Sequence, residues 1–208
     1  MLVPKLVSLV DCFTETDARI AIVTETWFKN RDELERLAED LSLGEGIGML
    51  HKNRDPNQNG VSYRGVAVLW RESFCSFKTI NCKNVENYEV LACVGSIRGQ
   101  ARKLVVVACY VPPTYDKRRG EGALAHIADV ISEIKRHFSD PYIILSGDFG
   151  ETLLEFADMK EIKVGYKKID RFFTNFSRTV TESGTLAPLE TEEDERRSDH
   201  KVAFLNAC

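Results

Sequence analysis

The stretch YIILSGDF, residues 142–149, decides the fold, because it joins the pattern of a buried strand to a charged end. Its first four residues form a continuous apolar run, which is typical of a strand buried on both faces. The Asp-Pro pair at 140–141 ends the helix predicted before it. The strand leads directly into Gly147 and Asp148. Ligand sites gather at strand ends in sheet proteins, so Asp148 is a candidate functional residue.

Strand and helix patterns continue on both sides of this stretch. Residues 20–23 form a second continuous apolar run, and a meander of largely antiparallel strands is predicted at 65–70, 74–80, 88–97 and 103–110. Helices are predicted at 1–16, 31–41 and 123–138, a surface loop at 52–60, and shorter strands at 168–174, 177–182 and 201–205. This order predicts one α/β domain over residues 1–208, with two packed sheets flanked by helices.

Composition narrows the classes of protein to consider. The chain has 208 residues, 43% of them hydrophobic, which is enough for the core of one domain. Its 28 basic and 32 acidic residues give a net charge of -4, so any nucleic-acid contact must be a local basic patch. The six cysteines form no CxxC pair, and no apolar run reaches the roughly 18 residues of a membrane span. We expect a soluble intracellular protein with reduced thiols.

Polar residues stand at the ends of several apolar runs. These residues are Glu25, Tyr110, Asp148, Asp199 and His200. Each has a structural explanation when taken alone: a solvated or capping acid, a core aromatic residue, or a turn residue after glycine. Taken together, carboxylates that converge beside a histidine favour a site for a hard divalent cation.

These residues, in this order, resemble the endonuclease/exonuclease/phosphatase superfamily, and most closely the endonuclease domain of LINE-type (non-LTR) retrotransposon polyproteins. The matching segments are IVTETW at 22–27, RGVAVLW at 64–70, VACYVPP at 107–113, LSGDF at 145–149, IDRFFTN at 169–175 and SDHK at 198–201. The resemblance implies a four-layer α/β sandwich of two mixed, largely antiparallel sheets flanked by helices. It also implies a metal-dependent DNA endonuclease that hydrolyses phosphodiester bonds.

The resemblance assigns catalytic roles to four residues. Asp148 would orient and deprotonate the attacking water. His200 would stabilise charge on the phosphoryl oxygens, with its imidazole oriented by Asp170. Tyr110 would donate a hydrogen bond to the phosphate. Together these roles describe hydrolysis of a phosphodiester by an activated water.

The implied partners are a divalent cation and DNA. Glu25 would bind Mg²⁺ or Mn²⁺, and Asp199 would contribute to the same metal site directly or through water. The candidate phosphate contacts are basic residues in the loop 51–55 and in the cluster 117–119, namely Lys52, Arg54, Lys117, Arg118 and Arg119. In a full-length element, a reverse transcriptase domain would follow, and the element would need access to the nucleus.

Two departures from the family pattern predict weak or absent activity. Family members begin with a strand that ends in an asparagine, whereas Met1 stands in the helix predicted after it, so we expect an N-terminally truncated domain. Gly150 stands where the family motif Gly-Asp-Phe-Asn has its asparagine. Loss of one pre-organised donor at such a site costs about 2.7–4 kcal/mol of transition-state stabilisation, or about 100- to 1,000-fold in rate.

Two alternative functions fit the same residues. The fold also serves phosphodiesterases that act on phosphoinositides or sphingomyelin, because a fold does not fix a substrate. The context of Pro112 and Pro113 and the segment 169–175 favours the transposon branch. The second alternative is a non-catalytic remnant that binds nucleic acid or a partner protein.

Overall fold

The computed structural model describes the backbone of residues 13–14, 18–26, 35–36, 39, 46–53, 65–82, 88–112, 117–150, 155–156, 158–162, 170–176, 180–185 and 203–207. Side chains are described for these residues except 117–120, 170, 180–185 and 203–207. The elements are β1 (Ile20–Thr24), β2 (Ile47–Lys52), β3 (Val66–Arg71), β4 (Cys75–Ile80), β5 (Glu89–Ile97), β6 (Lys103–Tyr110), α1 (Lys117–His137), β7 (Tyr142–Asp148), β8 (Lys160–Ile162), β9 (Asp170–Thr174), β10 (Val180–Thr185) and β11 (Ala203–Ala207). Over these ranges, no helix is long and apolar enough to cross a bilayer.

The strands form two main sheets. The larger has six strands in the order β4-β5-β6-β7-β9-β8, and the smaller has three in the order β1-β3-β2. Neighbours in both sheets are antiparallel, except that β6 and β7 run parallel. The connection between these parallel strands contains α1, as parallel pairs require. A separate antiparallel pair joins β10 to β11.

Successive side chains of β6 point to opposite faces of the larger sheet, and this divides the core into two layers. Val106 and Ala108 face the smaller sheet and pack with Val68 of β3, and all three are fully buried. Val107 points to the opposite face, where α1 covers it with an apolar stripe that includes Ile127. Burying a side chain of this size contributes about 1.5–3 kcal/mol. Both faces of the larger sheet are therefore covered, by the smaller sheet on one side and by α1 on the other.

The sequence predicted most of these strands correctly, including β1, β3 to β7 and β9. One topological prediction was wrong: β3 belongs to the smaller sheet, so the meander contains only β4, β5 and β6. Strand β2 was missed because Gly48 weakens the strand pattern. A Cβ on Gly48 would overlap the ring of Trp70, its cross-strand partner, so any other residue here would have to displace that ring. The short strand β8 was also missed.

Strand β1 differs in exposure from its neighbour β3. In the described sheet β1 is an edge strand, and all five of its residues are partly exposed, although their sequence is that of an internal strand. By contrast, residues Val66 to Leu69 of the adjacent β3 are fully buried. The missing first strand stays a prediction. Most of the helices predicted at 1–16 and 31–41, and most of the loop predicted at 52–60, lie outside the described residues.

Candidate active site

Four polar residues form a row across the larger sheet, where one end of each of four neighbouring strands meets. Because β6 and β7 are parallel, Tyr110 lies opposite Asp148. The antiparallel neighbours extend the row, since Glu89 of β5 lies opposite Tyr110 and Asp170 of β9 lies opposite Asp148. Three catalytic residues predicted from distant segments, Tyr110, Asp148 and Asp170, therefore occupy adjacent register positions at one sheet edge.

Glu25 of the smaller sheet meets this row at Tyr110. Strand β1 crosses β6 and β7, and Glu25 follows it directly. The Tyr110 hydroxyl donates a hydrogen bond to Glu25 Oε1 at 2.6 Å. A phenol has one proton to donate, so in this state Tyr110 orients the Glu25 carboxylate instead of a phosphate. The predicted phosphate contact of Tyr110 requires this bond to be given up.

The backbone after β7 holds Asp148 in place. Its side chain is almost fully buried, and Oδ1 accepts a hydrogen bond from the Gly150 N–H at 2.8 Å. Its carbonyl oxygen accepts a second bond from the Val111 N–H at 2.8 Å, which extends the pairing of β6 with β7 by one step. The carboxylate is thus oriented before any substrate binds, as an efficient catalytic base requires.

His51 and Lys52, which the sequence placed in a polar loop, are the last two residues of β2. His51 Nε2 lies 2.8 Å from Thr26 Oγ1, and burial lowers the pKa of this histidine to about 4. A neutral imidazole has no charge to attract a phosphate. The Lys52 ammonium donates to the carbonyl oxygen of Val90 at 2.9 Å and so links the two sheets. This bond gives Lys52 a structural role and does not support the predicted phosphate contact.

We expect Lys52→Met to lower the free energy of unfolding by about 1.5 kcal/mol, the typical contribution of a hydrogen bond to a charged group. Chemical denaturation measures this loss. The slope of log binding constant against log salt for DNA should stay the same, because no phosphate contact is removed.

The matched control is Lys103→Met, since Lys103 makes an exposed bond to Ser96 Oγ at 2.6 Å. We expect it to change stability by less than about 0.5 kcal/mol. If Lys52→Met decreased the magnitude of this slope by about 0.9 and left stability unchanged, Lys52 would be a phosphate contact after all.

Several predicted site residues lie outside the described residues. These are Asp199, His200 and Arg54, together with the side chains of Lys117, Arg118, Arg119 and Asp170. The backbone of 117–119 is helical and forms the start of α1, whereas the sequence predicted a loop up to residue 122 because Gly120 and Gly122 weaken the helix pattern. Their proposed contact with DNA remains a prediction.

The described residues fit a divalent cation in their chemistry. Mg²⁺ and Mn²⁺ prefer carboxylate oxygens, which Glu25 and Asp148 supply. Across the described ranges, no group of three or more His, Cys, Asp or Glu side chains is close enough to hold a metal ion. Asp199, the other predicted metal ligand, lies outside these ranges.

Two residues of the site were missed from the sequence. Glu89 is only 2% exposed and lies beside Tyr110, yet it was taken as part of an apolar strand. A charged residue at the first position of an apolar strand was the available signal. Thr26 was part of the quoted segment 22–27 but was given no role. Its contact with His51 joins residues 25 positions apart and could not be read from the sequence.

Comparison with known proteins identifies the fold. No protein-family model and no curated protein sequence matches this chain. Among solved structures, it is similar to an endonuclease/exonuclease/phosphatase family protein from Leptotrichia buccalis, with 15% identity and a TM-score of 0.63 over 96% of this chain and 90% of that one. It is also similar to a mannosyl-6-phosphatase from Bacteroides thetaiotaomicron, with 14% identity and a TM-score of 0.67 over 99% and 90% of the two chains.

A third similar structure is D. rerio TDP2 complexed with a single-stranded DNA product, with 13% identity and a TM-score of 0.62 over 98% of this chain and 91% of that one. Identities this low establish the fold alone. The chain therefore has the α/β fold of endonuclease/exonuclease/phosphatase proteins, as the sequence predicted.

Proposed function

We propose that this chain is a metal-dependent phosphodiesterase domain that cuts DNA and derives from a LINE-type retrotransposon. One observation carries the proposal: the Tyr110 hydroxyl bonds to Glu25 at 2.6 Å, while Tyr110 pairs in register with Asp148. Glu25, the candidate metal ligand, and Asp148, the candidate base, are 123 residues apart in the sequence. Tyr110 links them, since it is bonded to Glu25 and paired in register with Asp148. A structural role for any one of these residues would not require the other two beside it.

Each residue has a distinct task in the proposed reaction. Glu25 would hold the divalent cation with Asp199, and the cation would supply charge neutralisation at the scissile phosphate. Asp148 would accept a proton from the attacking water, for which its Gly150 bond orients it. Tyr110 would keep the Glu25 carboxylate in place. His200, oriented by Asp170, would stabilise charge on the phosphoryl oxygens.

The proposed substrate and origin rest on the segments that resemble LINE-type endonucleases. The solved structure of TDP2 with its single-stranded DNA product supports DNA as a ligand for this fold. Arg54 and the cluster 117–119 are the proposed phosphate contacts, which would position a strand without reading its sequence. In the parent element, the domain would act beside a reverse transcriptase and would need access to the nucleus.

We expect Asp148→Asn to reduce Mg²⁺-dependent nicking of supercoiled plasmid about 100-fold, because a general base contributes at least this factor. Excess protein over plasmid makes a weak activity measurable. The substitution keeps the size of the side chain and the acceptor for the Gly150 N–H, so the melting temperature should stay within a few degrees of the original.

Equal nicking by the Asp148→Asn protein would defeat the proposal. Asp148-dependent release of a phosphorylated headgroup from vesicles that contain phosphoinositide or sphingomyelin, without plasmid nicking, would move the function to phospholipid. Absence of both activities in the folded protein would favour the non-catalytic remnant.

A further inference from the structure

Glu25 has an unusual backbone conformation. Its φ is 56°, in the left-handed region, which residues with a side chain rarely adopt. Such a conformation persists only when the surrounding structure enforces it. Glu25 is also the residue whose carboxylate accepts the Tyr110 hydroxyl bond. The contacts that enforce this backbone therefore decide where the carboxylate points.

The next residue, Thr26, is fixed by the other two strands of the smaller sheet. Thr26 is buried, with 8% of its surface exposed. Its N–H donates to the carbonyl oxygen of Gly65, just before β3, at 3.3 Å. Its hydroxyl shares a hydrogen bond with His51 Nε2 of β2 at 2.8 Å. The backbone of Thr26 is thus bonded next to β3 and its side chain to β2. Neither strand contributes to the row of four polar residues.

The close approach of these groups depends on the missing side chain of Gly65. A Cβ on Gly65 would lie 2.6 Å from Thr26 Oγ1, 2.6 Å from Asn53 Oδ1 and 3.2 Å from His51 Nε2. Real Cβ atoms essentially never come within 3.0 Å of another atom, so Thr26 and Asn53 occupy the space that a side chain at residue 65 would need, and His51 lies close beside it. The packing around Gly65 therefore allows Thr26 only a narrow range of positions.

The bond between His51 and Thr26 suits a permanent structural role. Burial lowers the pKa of His51 to about 4, so the imidazole is neutral at neutral pH. A neutral imidazole can pair with a hydroxyl as acceptor or donor. The bond is therefore kept over the pH range in which nucleases are assayed.

We propose that Thr26, His51 and Gly65 form a clamp that holds Glu25 in its left-handed conformation and thereby aims its carboxylate at Tyr110 and the metal site. Thr26 and His51 are positioning residues in this account, since they act through Glu25. The metal-site part of the inference rests on the proposed function. The backbone part does not.

Nuclear magnetic resonance tests the backbone part directly, because the ¹³Cα, ¹³Cβ and amide shifts of Glu25 report its φ without metal or substrate. We expect left-handed values in the original protein and in Thr26→Ser, which keeps the hydroxyl. In Thr26→Val and in His51→Phe we expect the shifts to move towards values of negative φ. The two changes together should have no more effect than either alone, because they remove the same bond.

Mn²⁺ binding, measured by calorimetry without substrate, tests the metal part. Loss of a residue that orients a metal ligand typically costs about 10- to 100-fold in affinity, and we expect at least tenfold weaker binding for Thr26→Val, with recovery in Thr26→Ser. In nicking assays kcat should fall while KM for DNA stays the same, because Thr26 is buried.

The matched control is Thr174→Val. Thr174 is even more buried than Thr26, and its hydroxyl donates to the Phe176 carbonyl oxygen at 3.1 Å. It pairs with Ile144, at the opposite end of β7 from Asp148. We expect similar loss of stability in Thr174→Val with unchanged Glu25 shifts and unchanged Mn²⁺ affinity.

Left-handed Glu25 shifts in both Thr26→Val and His51→Phe would overturn the clamp. If Thr26→Val does not fold, His51→Phe decides alone, since it substitutes no residue of the segment 25–26. If the shifts move as expected but the original protein cuts neither DNA nor lipid, the clamp stands and the proposed function fails.

Discussion

Gly147→Ala is expected to lower the free energy of unfolding by about 4 kcal/mol, which combines backbone strain with overpacking of about 1–3 kcal/mol each. Gly147 has φ +144, a value that residues with side chains rarely adopt, and a Cβ there would overlap the carbonyl oxygen of Cys109. Cys109 is its register partner in the parallel β6–β7 pair, and both strands are buried on both faces. Neither strand can retreat without breaking the core. Chemical denaturation of the two proteins measures the difference.

The matched control for this substitution is Gly99→Ala. Gly99 also has positive φ, at +75, but no atom lies within 4 Å of a Cβ built there. It therefore tests backbone strain without overlap, and we expect a loss of about 1 kcal/mol. Equal losses for the two variants would show that β6 and β7 can separate to admit a side chain. Activity should fall with stability in Gly147→Ala, because Asp148 is the next residue on the strand.

The sequence could predict that the site residues come together, because each of them lies at the end of a strand. Glu25, Tyr110 and Asp148 each stand at or just beyond the end of an apolar run, and apolar runs are the clearest signal of a buried strand. Once β6 and β7 are parallel neighbours, Tyr110 and Asp148 must share an edge. The resemblance to one family then supplied the pairing of the segments, which the patterns alone did not contain.

Contacts made across the sheets could not be predicted in this way. The sequence shows Lys52 as a basic residue in a polar segment, and only the packing of β2 against β5 reveals that it bonds to Val90. His51 reads as a loop residue, whereas burial and Thr26 give it a structural role. A sequence pattern records which face a residue is on. It does not record what the opposite sheet places there.

Gly150→Asn is expected to raise the rate of Mg²⁺-dependent plasmid nicking about 100- to 1,000-fold, the factor associated with one pre-organised donor. Gly150 has φ 56, and asparagine is one of the few residues besides glycine that adopt this left-handed conformation readily. The bond from the Gly150 N–H to Asp148 Oδ1 belongs to the backbone, so the substitution keeps it. The change therefore adds an amide next to Asp148, the proposed base, and keeps the hydrogen bond that orients its carboxylate. Single-turnover nicking of supercoiled plasmid measures the gain.

Two further variants separate the amide from the backbone. Gly150→Ala introduces a side chain at the same φ without a donor, and we expect no gain in rate and a loss of stability of about 1 kcal/mol. Gly150→Asn combined with Asp148→Asn should return to the rate of Asp148→Asn alone, because an amide that positions water and phosphate cannot act without the base. A stable Gly150→Asn protein with an unchanged rate would mean that the missing asparagine is not what limits this chain. The limit would then lie elsewhere in the proposed site, and Glu25, whose carboxylate accepts the Tyr110 hydroxyl bond, would be the next residue to test.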